Sequence, residues 1–144
     1  MSRANRTLLL QLVEGKAPVP NDPGLFAVHD IDLRYETGSP WAICLDFVAD
    51  NVTWVFSLDL LSDARLHPGE WTGLGDVLVR APKHEEEGYG FILRPPAGVI
   101  QLWIRTKDIE RFQAKATRLQ PQAEKSARRG LARELTKMPA MVNS

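Results

Sequence analysis

The chain has 144 residues, 44% of them apolar and 25% charged, which suits one folded domain and excludes a disordered or fibrous chain. Lysine plus arginine equals aspartate plus glutamate at 18 each, so net charge advertises neither nucleic acid nor a membrane. The single cysteine, Cys44, excludes an internal disulfide, and no run approaches the ~18 apolar residues of a membrane helix.

The leucines at 8–10 are interrupted at Gln11 and Glu14, so no secretion signal is read and a soluble, cytoplasmic protein is expected. Residues 7–14 read as a short strand ending at Gly15, followed by a Pro/Gly-rich connection over 17–24. Over 25–36, Leu25, Ala27, His29, Ile31, Leu33 and Tyr35 alternate with a more polar set, the period of a half-buried strand. Residues 41–49 repeat the pattern with Trp41, Ile43, Leu45 and Phe47. Asp50 and Asn51 tolerate positive φ and predict a hairpin into 52–56. A short helix is expected over 59–66, capped by Ser57 or Asp59.

Three more strands are predicted at 75–81, 89–94 and 99–105, joined by an acidic turn at 85–88 and a Pro/Gly turn at 95–98. The last is apolar on both faces, Ile100, Leu102 and Ile104 against Val99 and Trp103, which calls for cover on both sides. From Thr106, a fair N-cap, the period becomes helical: Ile109, Phe112, Ala116 and Leu119 recur at three- and four-residue steps. Pro121 is expected to interrupt it before a second, weaker helix. The fold class is therefore α+β: a curved antiparallel sheet or barrel of about seven strands, then one or two C-terminal helices. Residues 1–120 form the domain and 121–144 a basic, partly helical tail.

Neutral overall charge hides a split. Residues 1–104 carry eight basic against fourteen acidic side chains, a net of −6; residues 105–144 carry ten against four, a net of +6. Arg118, Lys125, Arg128, Arg129 and Arg133 are the candidate partner-binding residues, suited to an acidic surface. Chemistry is otherwise sparse. His29, His67 and His84 lack metal-ligand spacing, and Cys44 sits mid-strand as a small apolar residue without an activating neighbour in sequence. Asp59 and Asp63 share a helix face but suit the helix dipole as well as acid–base work. Gly73-Leu74-Gly75-Asp76 enters a strand, whereas a phosphate cradle needs a helix N-terminus. No catalytic residue, metal site or cofactor is predicted. Trp54 and Trp103 read as core. Trp41 and Trp71, near the basic helix, could stack single-stranded bases, although Asp30, Asp32, Asp46, Asp50 and Asp76 would repel phosphates.

Three segments read together, at 33–42 (Arg34, Tyr35, Pro40), 54–61 (Trp54, Phe56, Asp59, Leu60, Leu61) and 72–79 (Gly73, Gly75, Asp76). In this order and spacing the chain resembles the SsgA-like family of sporulation and cell-division regulators over about residues 7–120. The resemblance implies a non-enzymatic cytoplasmic adaptor at division septa that binds FtsZ or another division protein. It also implies a bell-shaped homotrimer of whirly-like fold without membrane insertion. That fold likeness keeps single-stranded nucleic acid as the alternative partner. Ser39, Leu58 and Leu78 depart from charged family positions, which suggests an outlying member.

Overall fold

The computed structural model describes residues 7–22, 24–84, 87–95 and 98–137, with side chains through Gly130. Seven strands and two helices follow in the order β1 (Leu8–Pro18), β2 (Phe26–Glu36), β3 (Ala42–Phe47), β4 (Val52–Ser57), α1 (Leu58–Leu66), β5 (Val77–Arg80), β6 (Tyr89–Leu93), β7 (Ile100–Ile104) and α2 (Thr106–Lys137). Every pairing is antiparallel, in the order β4-β3-β2-β1-β7-β6-β5, and the sheet curls into a nearly closed barrel.

Alternation along the strands fixes the inner face. Ile31, Leu33 and Tyr35 on β2, Ile43, Leu45 and Phe47 on β3, Phe91 and Leu93 on β6, and Leu102 and Ile104 on β7 are buried in one core. Ile109, Phe112 and Ala116 of α2 and Leu58, Leu61 and Ala64 of α1 join that core. Because the strands alternate in direction, both helices gather at one end of the barrel, beside the starts of β1, β3 and β6 and the end of β2. Gln113, buried between the helices, accepts from Arg65 (3.2 Å) and donates to Ser62 (3.0 Å), so its amide is satisfied where solvent cannot reach.

Several boundaries differ from those read in the sequence. β1 does not stop at Gly15 but continues to Pro18, paired with β2 throughout and with β7 at Gly15 and Lys16. Glycine permits this crossing: a Cβ there would lie 2.6 Å from Leu102 Cδ1 and 3.1 Å from Ile31 Cγ1. Pro121 does not break the helix, since α2 is continuous from Thr106 to Lys137. Pro121 and Thr117, whose carbonyl loses its helical donor, are both exposed, so that carbonyl is not left in the core. Leu119 and Ala123 on either side keep the helix packed. The N-cap of α1 is Ser57, whose Oγ accepts from the Asp59 amide at 3.2 Å; Asp59 occupies the first turn instead. Thr106 opens α2, and its hydroxyl donates to the Glu87 carbonyl, tying the helix to the loop before β6.

Candidate functional site

The three sequence segments converge on the helix-closed end and on the seam between the edge strands β4 and β5. Arg34 points outward from β2. Its Nε donates to Asp46 at 2.9 Å, its Nη2 to the other carboxylate oxygen at 3.3 Å, and its Nη1 to Glu36 at 3.0 Å. This fork suits a bidentate carboxylate, and Thr53 adds a hydroxyl bond to Asp46. The guanidinium hydrogen bond holds the Asp46 carboxyl below its ordinary range, outweighing desolvation. The same bond drives Arg34 still further into its charged form. Across β2–β3–β4, then, Arg34 is a clamp whose charge is spent internally.

Tyr35 faces the other way and is fully buried, its hydroxyl donating to the Pro40 carbonyl at 3.0 Å. That bond ties the 37–40 turn onto the core and leaves Trp41 about half exposed beside it. Burial raises the Tyr35 phenol, with Glu124 of α2 adding in the same direction.

Along the seam, Val55, Phe56, Ser57, Leu60 and Asp63 face Thr72, Gly73, Leu74, Asp76 and Val77 across a cleft of 440 Å³. Thus the 54–61 and 72–79 segments, separate in sequence, share one feature. Thr72 and Val79 exchange hydrogen bonds of 2.8 and 2.9 Å, folding the loop back on β5. Gly73 has φ +130°, and a Cβ there would meet the Val77 carbonyl at 2.9 Å; Gly75 has φ +100°. The turn lifts Leu74 entirely into solvent beside Asp76, whose carbonyl accepts from the Arg94 amide at 2.9 Å. Leu61 is core, Leu60 partly buried, and Asp59 exposed.

Charge is arranged differently on α2. Arg118, Lys125, Arg128 and Arg129 are exposed, and Ala123 is the last buried residue of α2 among the described side chains, which end at Gly130. Arg128 lies 3.7 Å from Glu124. The Arg133 backbone belongs to α2, while its side chain lies outside the described ones.

Trp54 and Trp103 are less buried than the core positions the sequence suggests. Trp54 is only partly buried, at the rim of the core, and Trp103 is half-buried on the outer face. Trp71 packs against Trp103 with ring centroids 6.0 Å apart, so the second apolar face of β7 is partly covered by its own chain. Cys44 is half-buried on the outer face, and burial raises its thiol despite the opposing charge of Arg34. The sequence missed a stripe on the outer face of β1, where Leu8, Leu10 and Leu12 are exposed in alternation. The doubly apolar start of β1 was its available signal. Among the described residues, no three His, Cys, Asp or Glu side chains gather as metal ligands, and no helix is long and apolar enough to cross a membrane.

Residues 30–125 match the family described as Streptomyces sporulation and cell division protein, SsgA. The sporulation-specific cell division protein SsgB of Saccharopolyspora erythraea is 34% identical over 71 residues, 47% of this chain and about half (48%) of that relative's length. A solved SsgB structure, from a study of longitudinal cell division during sporulation of Streptomyces coelicolor, superposes with TM-score 0.65 at 27% identity. The superposition covers 77% of this chain and 85% of that one. An SsgA-like sporulation-specific cell division protein from Thermobifida fusca superposes with TM-score 0.73 at 22% identity, over 95% and 98% of the two chains, and supports the fold. The matched segment spans most of the barrel and more than half of α2, and with it the chain belongs to the SsgA-like family of sporulation and cell-division proteins, which is not a known enzyme family.

Proposed function

We propose that this protein is a non-enzymatic cytoplasmic adaptor of septation that self-associates and recruits or promotes the FtsZ polymer, or another acidic division protein, at septum sites. The observation that carries the contact is the exposed basic stretch of α2 beyond Ala123, set against a body of net charge −6. A basic helix extending from a folded body meets an acidic polymer with complementary charge, which speeds encounter and fixes orientation. The difference between residues 1–120 and 121–144 is then one of task, fold against contact, along a helix that crosses the boundary unbroken. Self-association, a trimer by family likeness, is assigned to the exposed Leu8, Leu10 and Leu12 face, since a contiguous apolar stripe on a sheet favours a protein contact.

The test is light scattering and co-sedimentation of the organism's own FtsZ with the full chain and with K125E/R128E/R129E. Wild type should raise scattering and co-pellet in a salt-sensitive way, and the variant should lose both while melting normally. An unaltered variant would remove the basic stretch from the contact. A single-stranded oligonucleotide is titrated in parallel. Tight, salt-steep binding there would move the function to the alternative, a whirly-like nucleic-acid binder using Trp41 and Trp71.

A further inference from the structure

The barrel end away from the helices opens into a cavity of 780 Å³. Its walls come from the end of β1 and the residues after it (Ala17, Pro18, Pro20), from His29 and Phe47, from Val52 and Trp54, and from Pro95, Val99 and Ile100. Pro18, Pro20 and Pro95 stiffen three sides, and His29 stands edge-on to Phe47 at 5.8 Å, so the shape is largely pre-formed. Polar groups are few: His29, Asp50 and Gln101. No lysine or arginine lines the cavity among the described residues, and Asp50 would repel a carboxylate, sulfonate or phosphate. Val52, Val99 and Ile100 are 44, 65 and 37% exposed, so the mouth is an apolar portal rather than a polar rim.

Small-molecule sites favour the mouths of β-barrels, run to roughly 300–1,000 Å³, and combine apolar walls with a few polar groups. We infer that this cavity binds an uncharged, largely apolar small molecule, with Gln101 and His29 available to a polar edge. The inference is independent of the FtsZ reading, because the cavity and the basic stretch of α2 are different parts of the surface.

Two dyes of the same aromatic body separate the chemistry: neutral N-phenyl-1-naphthylamine and its sulfonated analogue, 1-anilinonaphthalene-8-sulfonate. Fluorescence titration of the full chain should give saturable uptake of the neutral dye at one per chain, with the sulfonate at least about tenfold weaker. V52E and I100E, each at an exposed mouth position, should weaken the neutral dye about tenfold or more, whereas L74D at the seam should leave it unchanged. Thermal melts of all three establish that they fold. Absence of saturable uptake, or equal uptake by V52E, I100E and wild type, would overturn the site. So would uptake that falls as protein concentration rises while light scattering shows a self-association that V52E abolishes. In that outcome a second copy fills the mouth.

Discussion

The two ends of this barrel are built from the same strands but finished differently. At one end α1 and α2 bring Leu58, Leu61, Phe112 and Ala116 into the core, Gln113 locks the helices together, and Tyr35 fastens the adjoining turn. At the other, no helix covers the strand ends among the described residues, and Phe47, Val52 and Trp54 border an open cavity. Stability should therefore be concentrated at the closed end, leaving the open end free to vary or to bind. Loss of apolar bulk should cost far more at the closed end than at the open one.

Phe112→Ala is the largest expected break in that contrast. Phe112 is 1% exposed, and truncating a buried Phe costs about 3–5 kcal/mol through lost transfer energy and a residual cavity. Val52→Ala at the open mouth should stay within about 0.5 kcal/mol, as for surface positions. Urea unfolding of both variants checks the contrast, and similar midpoint shifts would dissolve it.

Next comes the buried polar clasp. Gln113→Leu removes the acceptor for Arg65 and the donor to Ser62, and should cost about 1–3 kcal/mol, the net worth of two hydrogen bonds at about 0.5–1.5 kcal/mol each. Tyr35→Phe should fall in the same range, about 1–3 kcal/mol, by orphaning the Pro40 carbonyl. Its second signature should be faster amide exchange over residues 37–41. Unaltered exchange would mean that the turn is held by other contacts.

How much of this was legible follows the range of the interaction. Period-two alternation placed Ile31, Leu33, Tyr35, Ile43 and Leu45 inside because strand faces are a local property. Gly15 and Pro121 were misread because each carries a strong local breaker signal that tertiary partners override: Leu102 and Ile31 across the sheet in one case, packing of Leu119 and Ala123 in the other. The motif residues Trp54–Leu61 and Gly73–Asp76 were visible one segment at a time. Their meeting across the seam depends on the curl of the whole sheet, which no local period records. The open cavity left no mark for the same reason, since its walls come from five strands and the connections beside them.

The α1 cap gives a smaller effect that separates two neighbouring residues. Ser57→Ala removes the side-chain acceptor at the N-cap and should cost about 1 kcal/mol. Asp59→Ala removes only a first-turn charge near the helix dipole, about 0.3–1 kcal/mol and diminished by salt. If Asp59→Ala proved the costlier in high salt, the capping role would belong to Asp59 after all.

The outer clamp of Arg34 should make the smallest contribution at neutral pH and reveal itself in acid. Asp46 is held below its usual carboxylate range chiefly by the Arg34 hydrogen bond, so folding binds fewer protons there than the unfolded chain does. Its contribution is fully present above the unfolded value of about 3.9 and is lost as pH falls through the lower folded value. Between pH 7 and 5 the wild type and Asp46→Asn should therefore keep a constant difference in Tm. Below about pH 4 that difference should shrink, because protonating Asp46 removes in the wild type what the substitution has already removed. A gap that instead widened in acid would reverse the sign of the linkage and break the assignment of the Arg34–Asp46 pair as a stabilising clamp. Since this pair joins β2 to β3 on the outer face and neither residue lines the cavity, its effect should also be indifferent to the dye that probes the open mouth.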